Sequence, residues 1–131
     1  MRGKKIVLDL EFIPYRRKQE PYCVHEIIEI GAVALDADNE IYDEFQMYVK
    51  PQYGTVPPFV TAITGITNEM LVGQVSFSEA MQAFEAWLPQ KEPYRFYTWS
   101  GSDQHVFQAE AEWKEQDMSI HVVPAWKWML S

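Results

Sequence analysis

Lys4-Lys5-Ile6-Val7-Leu8-Asp9-Leu10-Glu11-Phe12 is an apolar, strand-like run broken by two carboxylates one residue apart. Alternate residues of a strand point to the same face, so Asp9 and Glu11 project together while Leu8 and Leu10 turn the other way into a core. Like charges held at that spacing repel. A divalent cation bridging them removes the repulsion, and oxygen-only ligands favour Mg²⁺ or Mn²⁺ over softer metals. The competing reading ends the strand at Leu8 and leaves both acids in a solvated loop.

The 131 residues suffice for one domain, taken as residues 1–131, and 47% hydrophobic residues with 15% aromatics supply a substantial core. No stretch approaches the roughly 20 consecutive apolar residues needed to span a bilayer, so no membrane partner is expected. Arg2-Gly3-Lys4-Lys5 resembles the basic start of a signal peptide, but Asp9 and Glu11 interrupt the apolar run behind it. The expected location is the cytoplasm. The single cysteine, Cys23, is read as an inert packing residue, in keeping with a reducing compartment. A net charge of −8 argues against a broad electrostatic grip on nucleic acid. It does not exclude an enzyme that engages a strand end through metal ions, because a bound cation can turn an acidic cleft into a phosphate receptor. The basic cluster Arg16-Arg17-Lys18 could touch a phosphate, but a solvated loop is its first reading.

Val7 to Leu10 forms the expected first strand, followed by a charged loop from Pro14 to about Tyr22. Glu26 to Leu35 reads as a second strand, closed by the turn signal Asp36-Ala37-Asp38-Asn39, and Ile41 to Val49 as its antiparallel partner. After a proline-marked crossover, Phe59 to Ile63 suits a short helix and Thr64-Gly65-Ile66-Thr67 a tight loop. Ser76 or Ser78 can cap a helix whose apolar positions run from Ala80 to Leu88. Tyr94 to Trp99 makes a fourth strand, and Ser100-Gly101-Ser102 leads into a helix from Asp103 to about Lys114. The order gives an α/β domain with a mixed sheet, strand order 3-2-1-4-5. Ligand sites in such sheets lie at the carboxyl ends of strands, where Asp9, Glu11 and Asp103 would collect. Asp103 also has a plain role as a helix cap.

Val7-Leu8-Asp9-Leu10-Glu11, Glu26-Ile27-Ile28-Glu29-Ile30-Gly31-Ala32-Val33, Thr64-Gly65-Ile66-Thr67 and Trp99-Ser100-Gly101-Ser102-Asp103 stand in the order and spacing of the DEDDh 3′–5′ exonucleases, which have the ribonuclease H-like fold. The chain resembles that superfamily over essentially its whole length. It looks most like the branch containing the histone-mRNA 3′ exonuclease and the KapD-type sporulation inhibitors. The resemblance implies two metal ions about 4 Å apart on the scissile phosphate of a single-stranded RNA or DNA 3′ end. Asp9 would bridge both ions, Glu11 would help hold the water-activating one, and Asp103 would serve the second. Leu10, through its backbone, and the loop containing Thr64, Gly65 and Ile66 would position the terminal nucleotide. Ile66 has an ordinary core reading as well.

Two departures from the family pattern shape the expectations. Phe12 is bulky where the family commonly has a small residue, which alters the pocket for the terminal sugar. The family's third motif, a general-base His followed five positions later by Asp, is missing: His121 is followed at that spacing by Trp126, and His105 by Glu110. A general base commonly contributes about 10²- to 10⁴-fold. The domain is therefore expected to be incomplete at its C-terminus and weakly active or inactive as it stands. Trp126 to Leu130 would begin a fifth strand, and its uncovered apolar surface would favour self-association. A degenerate fold kept as a protein-interaction or regulatory module is the alternative, and endonucleolytic cleavage of hybrids a third reading.

Overall fold

A computed structural model of the chain describes residues 4–16, 23–98, 106, 109, 110 and 112. Arg17, Lys18, Trp99 to Asp103, His105, His121 and the strand expected from Trp126 lie outside the described residues.

Strand β1 (Lys4–Arg16) runs antiparallel to β2 (Cys23–Leu35), and β2 pairs with β3 (Ile41–Tyr48) through the expected hairpin. Asp36 builds the hairpin turn. Its carboxylate accepts the backbone N–H groups of Asp38 (2.8 Å) and Glu40 (3.0 Å), while Asn39 takes a left-handed φ of 64°, which asparagine tolerates better than most residues. Strand β1 exceeds its expected length. It continues through Pro14 to Arg16, where a loop was expected, and β2 begins three residues before Glu26. The ladder partners Pro14↔His25, Tyr15↔Val24 and Arg16↔Cys23 carry this extension, a pairing that local composition does not reveal.

After β3, Val49 bridges to Val75 and the chain enters helices α1 (Pro58–Thr64) and α2 (Asn68–Leu71). Pro58 occupies the first turn of α1, where its missing N–H has no partner to lose. Gly65 ends the helix at φ 79°, its N–H bonded to the Thr61 carbonyl, and Thr67 caps α2 by accepting from the Met70 N–H. The Thr-Gly-Ile-Thr loop is thus one helix stop followed by one helix start. The four-residue α2 was not foreseen in the sequence.

Helix α3 (Phe77–Trp87) opens with a capping box. Ser76 accepts from the Glu79 N–H, and the Glu79 carboxylate accepts from the Ser76 N–H. Its apolar positions Phe77, Ala80, Met81 and Phe84 meet Ile6, Leu8, Leu10, Ile27, Ile30, Ala32 and Ala34 in the main core. Phe84 is fully buried, with ring centroids 5.3 Å from Phe45 and 6.3 Å from Phe96. Ile41, the first residue of β3, is 57% exposed at the hairpin end, where the ladder shifts register between Ala34 and Leu35.

Strand β4 (Tyr94–Thr98) lies parallel to β1, giving the order β3-β2-β1-β4 across the described residues. Val106, Ala109, Glu110 and Glu112 are helical, as expected behind β4. On the other face of the sheet Ile13 and Ile28 meet Val56, Val60, Ile66 and Leu71 in a second cluster under α1 and α2.

Candidate active site

Asp9 and Glu11 both lie within β1, so the loop reading of these acids is excluded. Ile6, Leu8 and Leu10 enter the core beneath α3, whereas Ile13 enters the second cluster; strand alternation therefore puts Asp9, Glu11 and Ile13 on one face. Asp9 is exposed and Glu11 half-buried. The β4 ladder on β1 ends at Leu8↔Thr98, so Asp9 is the first residue past it, at the carboxyl end of the parallel pair. A ligand approaching there meets both carboxylates and a stretch of β1 edge that no described strand covers.

Across the ladder Asp9 faces Gly31 and Glu11 faces Glu29. A Cβ at Gly31 would come within 3.3 Å of the Asp9 carbonyl oxygen, so glycine leaves room beside that acid. Directly opposed antiparallel residues hold their Cβ atoms about 4.5–5.5 Å apart, and two like charges at that separation disfavour the fold. Glu29 is steadied by Gln46, whose Nε2 donates to Oε2 at 2.8 Å. Asp9, Glu11 and Glu29 thus make one negative stretch of sheet, a field that a hard divalent cation would neutralise. The part of Glu29 was missed in the sequence because it depends on register; the signal was a second acid in an otherwise apolar strand. Among the described residues no three His, Cys, Asp or Glu side chains converge to hold a metal ion. Asp103 lies outside them.

The expected nucleotide-positioning residues divide. Leu10 is 4% exposed with its side chain in the main core, leaving only its backbone for a ligand. Phe12 is half-buried, its ring edge-on to His25 at 5.2 Å. Thr64 is half-buried and Gly65 exposed. Ile66 is 2% exposed and packs in the second cluster, so its core role is the one seen in this structure. Thr61 and Thr64 fasten the loop: Thr61 Oγ1 donates to the Ile66 carbonyl at 2.7 Å, and Thr64 Oγ1 accepts from the Ile66 N–H at 3.1 Å.

Two further acids are completely buried, Glu26 and Glu110. The Glu26 carboxylate accepts the backbone N–H groups of Gln52 (2.8 Å), Tyr53 (3.2 Å) and Gly54 (2.6 Å), drawing the loop after β3 against the sheet. Glu110 Oε1 accepts the Ile27 N–H at 2.5 Å. Sequence gave little warning of either, since acids are rarely fully buried.

The sequence profile of the RNase T exonuclease family matches residues 6–120. The 3′-5′ exoribonuclease 1 of Homo sapiens is 35% identical over 82 residues, covering 61% of this chain and 24% of that protein. The DNA polymerase III subunit epsilon of Pasteurella multocida is 37% identical over 81 residues, covering 62% of this chain and 32% of that protein. Of solved structures, a full-length 3′-exonuclease matches with a TM-score of 0.65 and 28% identity, over 82% of this chain and 37% of its own. A 3′-exonuclease described in 3′-end specific recognition of a histone mRNA stem-loop matches with a TM-score of 0.65 and 26% identity, over 86% of this chain and 53% of its own. The chain therefore spans only part of each of these relatives. Exonucleases of this family use divalent metal ions. With its mixed sheet in the ribonuclease H-like arrangement and the family profile matched along most of its length, the chain is an exonuclease domain and belongs to the RNase T exonuclease family.

Proposed function

We infer that this domain is built to hydrolyse phosphodiester bonds one nucleotide at a time from the 3′ end of single-stranded RNA or DNA with Mg²⁺ or Mn²⁺, and that the 131 residues do so weakly or not at all, because none of their histidines is followed five positions later by Asp. The observation that carries this reading is the projection of Asp9 and Glu11 from one face of β1 immediately beyond the end of the β4 ladder. Hard carboxylate oxygens in that pattern suit these ions, which when bound activate a water and stabilise the leaving 3′ oxygen. Asp9 and Glu11 would hold them, joined by Asp103 from behind β4. Leu10 would offer its backbone to the terminal nucleotide, with Phe12 and the Thr64-Gly65-Ile66 loop bounding its pocket. Glu29, opposite Glu11, deepens the negative field that draws the cation in.

A time course on 5′-labelled single-stranded oligonucleotides with Mg²⁺ or Mn²⁺ tests the reading. The expected result is a faint ladder shortened from the 3′ end in the wild type, lost on Asp9→Ala, because the remaining Glu11 and Glu29 do not occupy the position of Asp9. Equal decay in both proteins rejects it. Cleavage of a circular strand would point instead to an endonuclease.

A further inference from the structure

Glu26 and Glu110 take no part in that reaction, yet both are fully buried at one irregularity of the sheet. The β1–β2 register passes from Glu11↔Glu29 to Phe12↔Ile27, so Ile28 is an extra residue on β2 with no partner position on β1. A bulge of this kind bends its strand, raises the local twist and re-aims neighbouring side chains. Here it lies next to Glu11. Two carboxylates act on the stretch of β2 just before the bulged residue. Glu26 is bound by the amides of the loop after β3, and Glu110, from a stretch 83 residues away in the chain, takes the Ile27 N–H at 2.5 Å. An apolar side chain would fill the space beneath β2 without the cost of burying a carboxylate, but it would leave that backbone donor unanswered. Glu110 also follows Asp103 by seven positions, so the segment expected to deliver the third acid is tied to the backbone opposite Phe12, the neighbour of the second.

We propose that Glu110 is a positioning residue for the divalent-ion site: by holding the Ile27 amide it fixes the bulge of β2, and the bulge fixes the direction of the Glu11 carboxylate. The inference rests on the exonuclease reading above. Glu110 touches no ion itself; it acts through the sheet, as outer partners of metal ligands commonly do.

Mn²⁺ titrations of the full chain without oligonucleotide, followed by the electron paramagnetic resonance signal of free Mn²⁺, test the proposal in wild type, Glu110→Ala, Glu110→Gln and Val106→Ala. Val106 is buried in the main core that also holds Ile27, so its truncation costs stability while leaving the Ile27 amide its acceptor. Glu110→Ala is expected to raise the Mn²⁺ midpoint about 10-fold or more. Glu110→Gln, which keeps an acceptor oxygen, falls between it and wild type, and Val106→Ala leaves the midpoint unmoved. Wild-type midpoints in both Glu110 variants overturn the proposal while leaving the exonuclease reading intact. If Glu110→Ala does not fold, an unshifted Glu110→Gln overturns it alone. Failure of the wild type to bind Mn²⁺ removes the metal reading and this inference with it.

Discussion

Replacing Glu26 by alanine should cost this domain a large part of its stability. The side chain is fully buried and its two oxygens collect the N–H groups of Gln52, Tyr53 and Gly54 at 2.6 to 3.3 Å. Hydrogen bonds to a charged acceptor are each worth about 1.5–3 kcal/mol net. Gln52 and Tyr53 are exposed residues whose amides can regain water, so they are discounted; the Gly54 amide, on a half-buried residue and making the shortest of the bonds at 2.6 Å, is counted in full. The sum is about 3–4 kcal/mol, against a total stability of about 5–15 kcal/mol for ordinary domains. For a chain of this size that corresponds to a melting temperature lowered by roughly 10–20 °C. Glu26→Gln keeps the volume but turns an amide NH₂ toward a ring of donors, and should lose about 2 kcal/mol. Urea unfolding monitored by circular dichroism gives the free energies, and hydrogen exchange at residues 52–54 locates the loss. A Glu26→Ala protein within about 1 kcal/mol of wild type, or one in which those three amides keep their protection, would refute the reasoning.

Gly54→Ala would place a Cβ 3.0 Å from Ile13 Cδ1 and 3.2 Å from Glu26 Oε1, and should cost about 1–3 kcal/mol in the same unfolding assay. Ser76→Ala removes the cap of α3 and should cost about 1 kcal/mol at neutral pH. Hydrogen bonds from the Ser76 N–H and hydroxyl hold the Glu79 carboxyl below the usual carboxylate range. Its contribution is therefore present above the unfolded-state value and is lost as pH falls through the lower folded-state value. Glu79→Gln should accordingly weaken the protein in urea at neutral pH and match wild type in strong acid; the opposite order would contradict the sign of the shift.

Turn chemistry and periodicity carried most of the fold into view before any coordinates. The Asp36–Asn39 turn, the cap at Ser76, the stripe of α3 and the strand order through β4 all follow from local residue types. What escaped depends on pairing between distant segments. Residues 12–16 were read as a strand end and a loop because a proline and a polar stretch signal a break; pairing with β2 overrides that signal. Helix α2 was overlooked because four residues are too few to show a period. At the site, Asp9 and Glu11 could be singled out because acids interrupt an apolar run. Glu29 could not, since its place opposite Glu11 depends on the bulge at Ile28. Ile66 was ambiguous in the sequence for a good reason: an apolar residue in a tight loop serves equally as a core plug or a ligand contact until burial is known.

Pro14 has a further consequence for the β1 edge. Beyond Leu8 no described strand pairs with the outer side of β1, and an edge of that kind is a template for an extended peptide. Proline offers no amide hydrogen, and its ring obstructs an incoming chain. One residue thereby guards this margin against recruiting a foreign strand, a barrier to zippering five positions beyond Asp9.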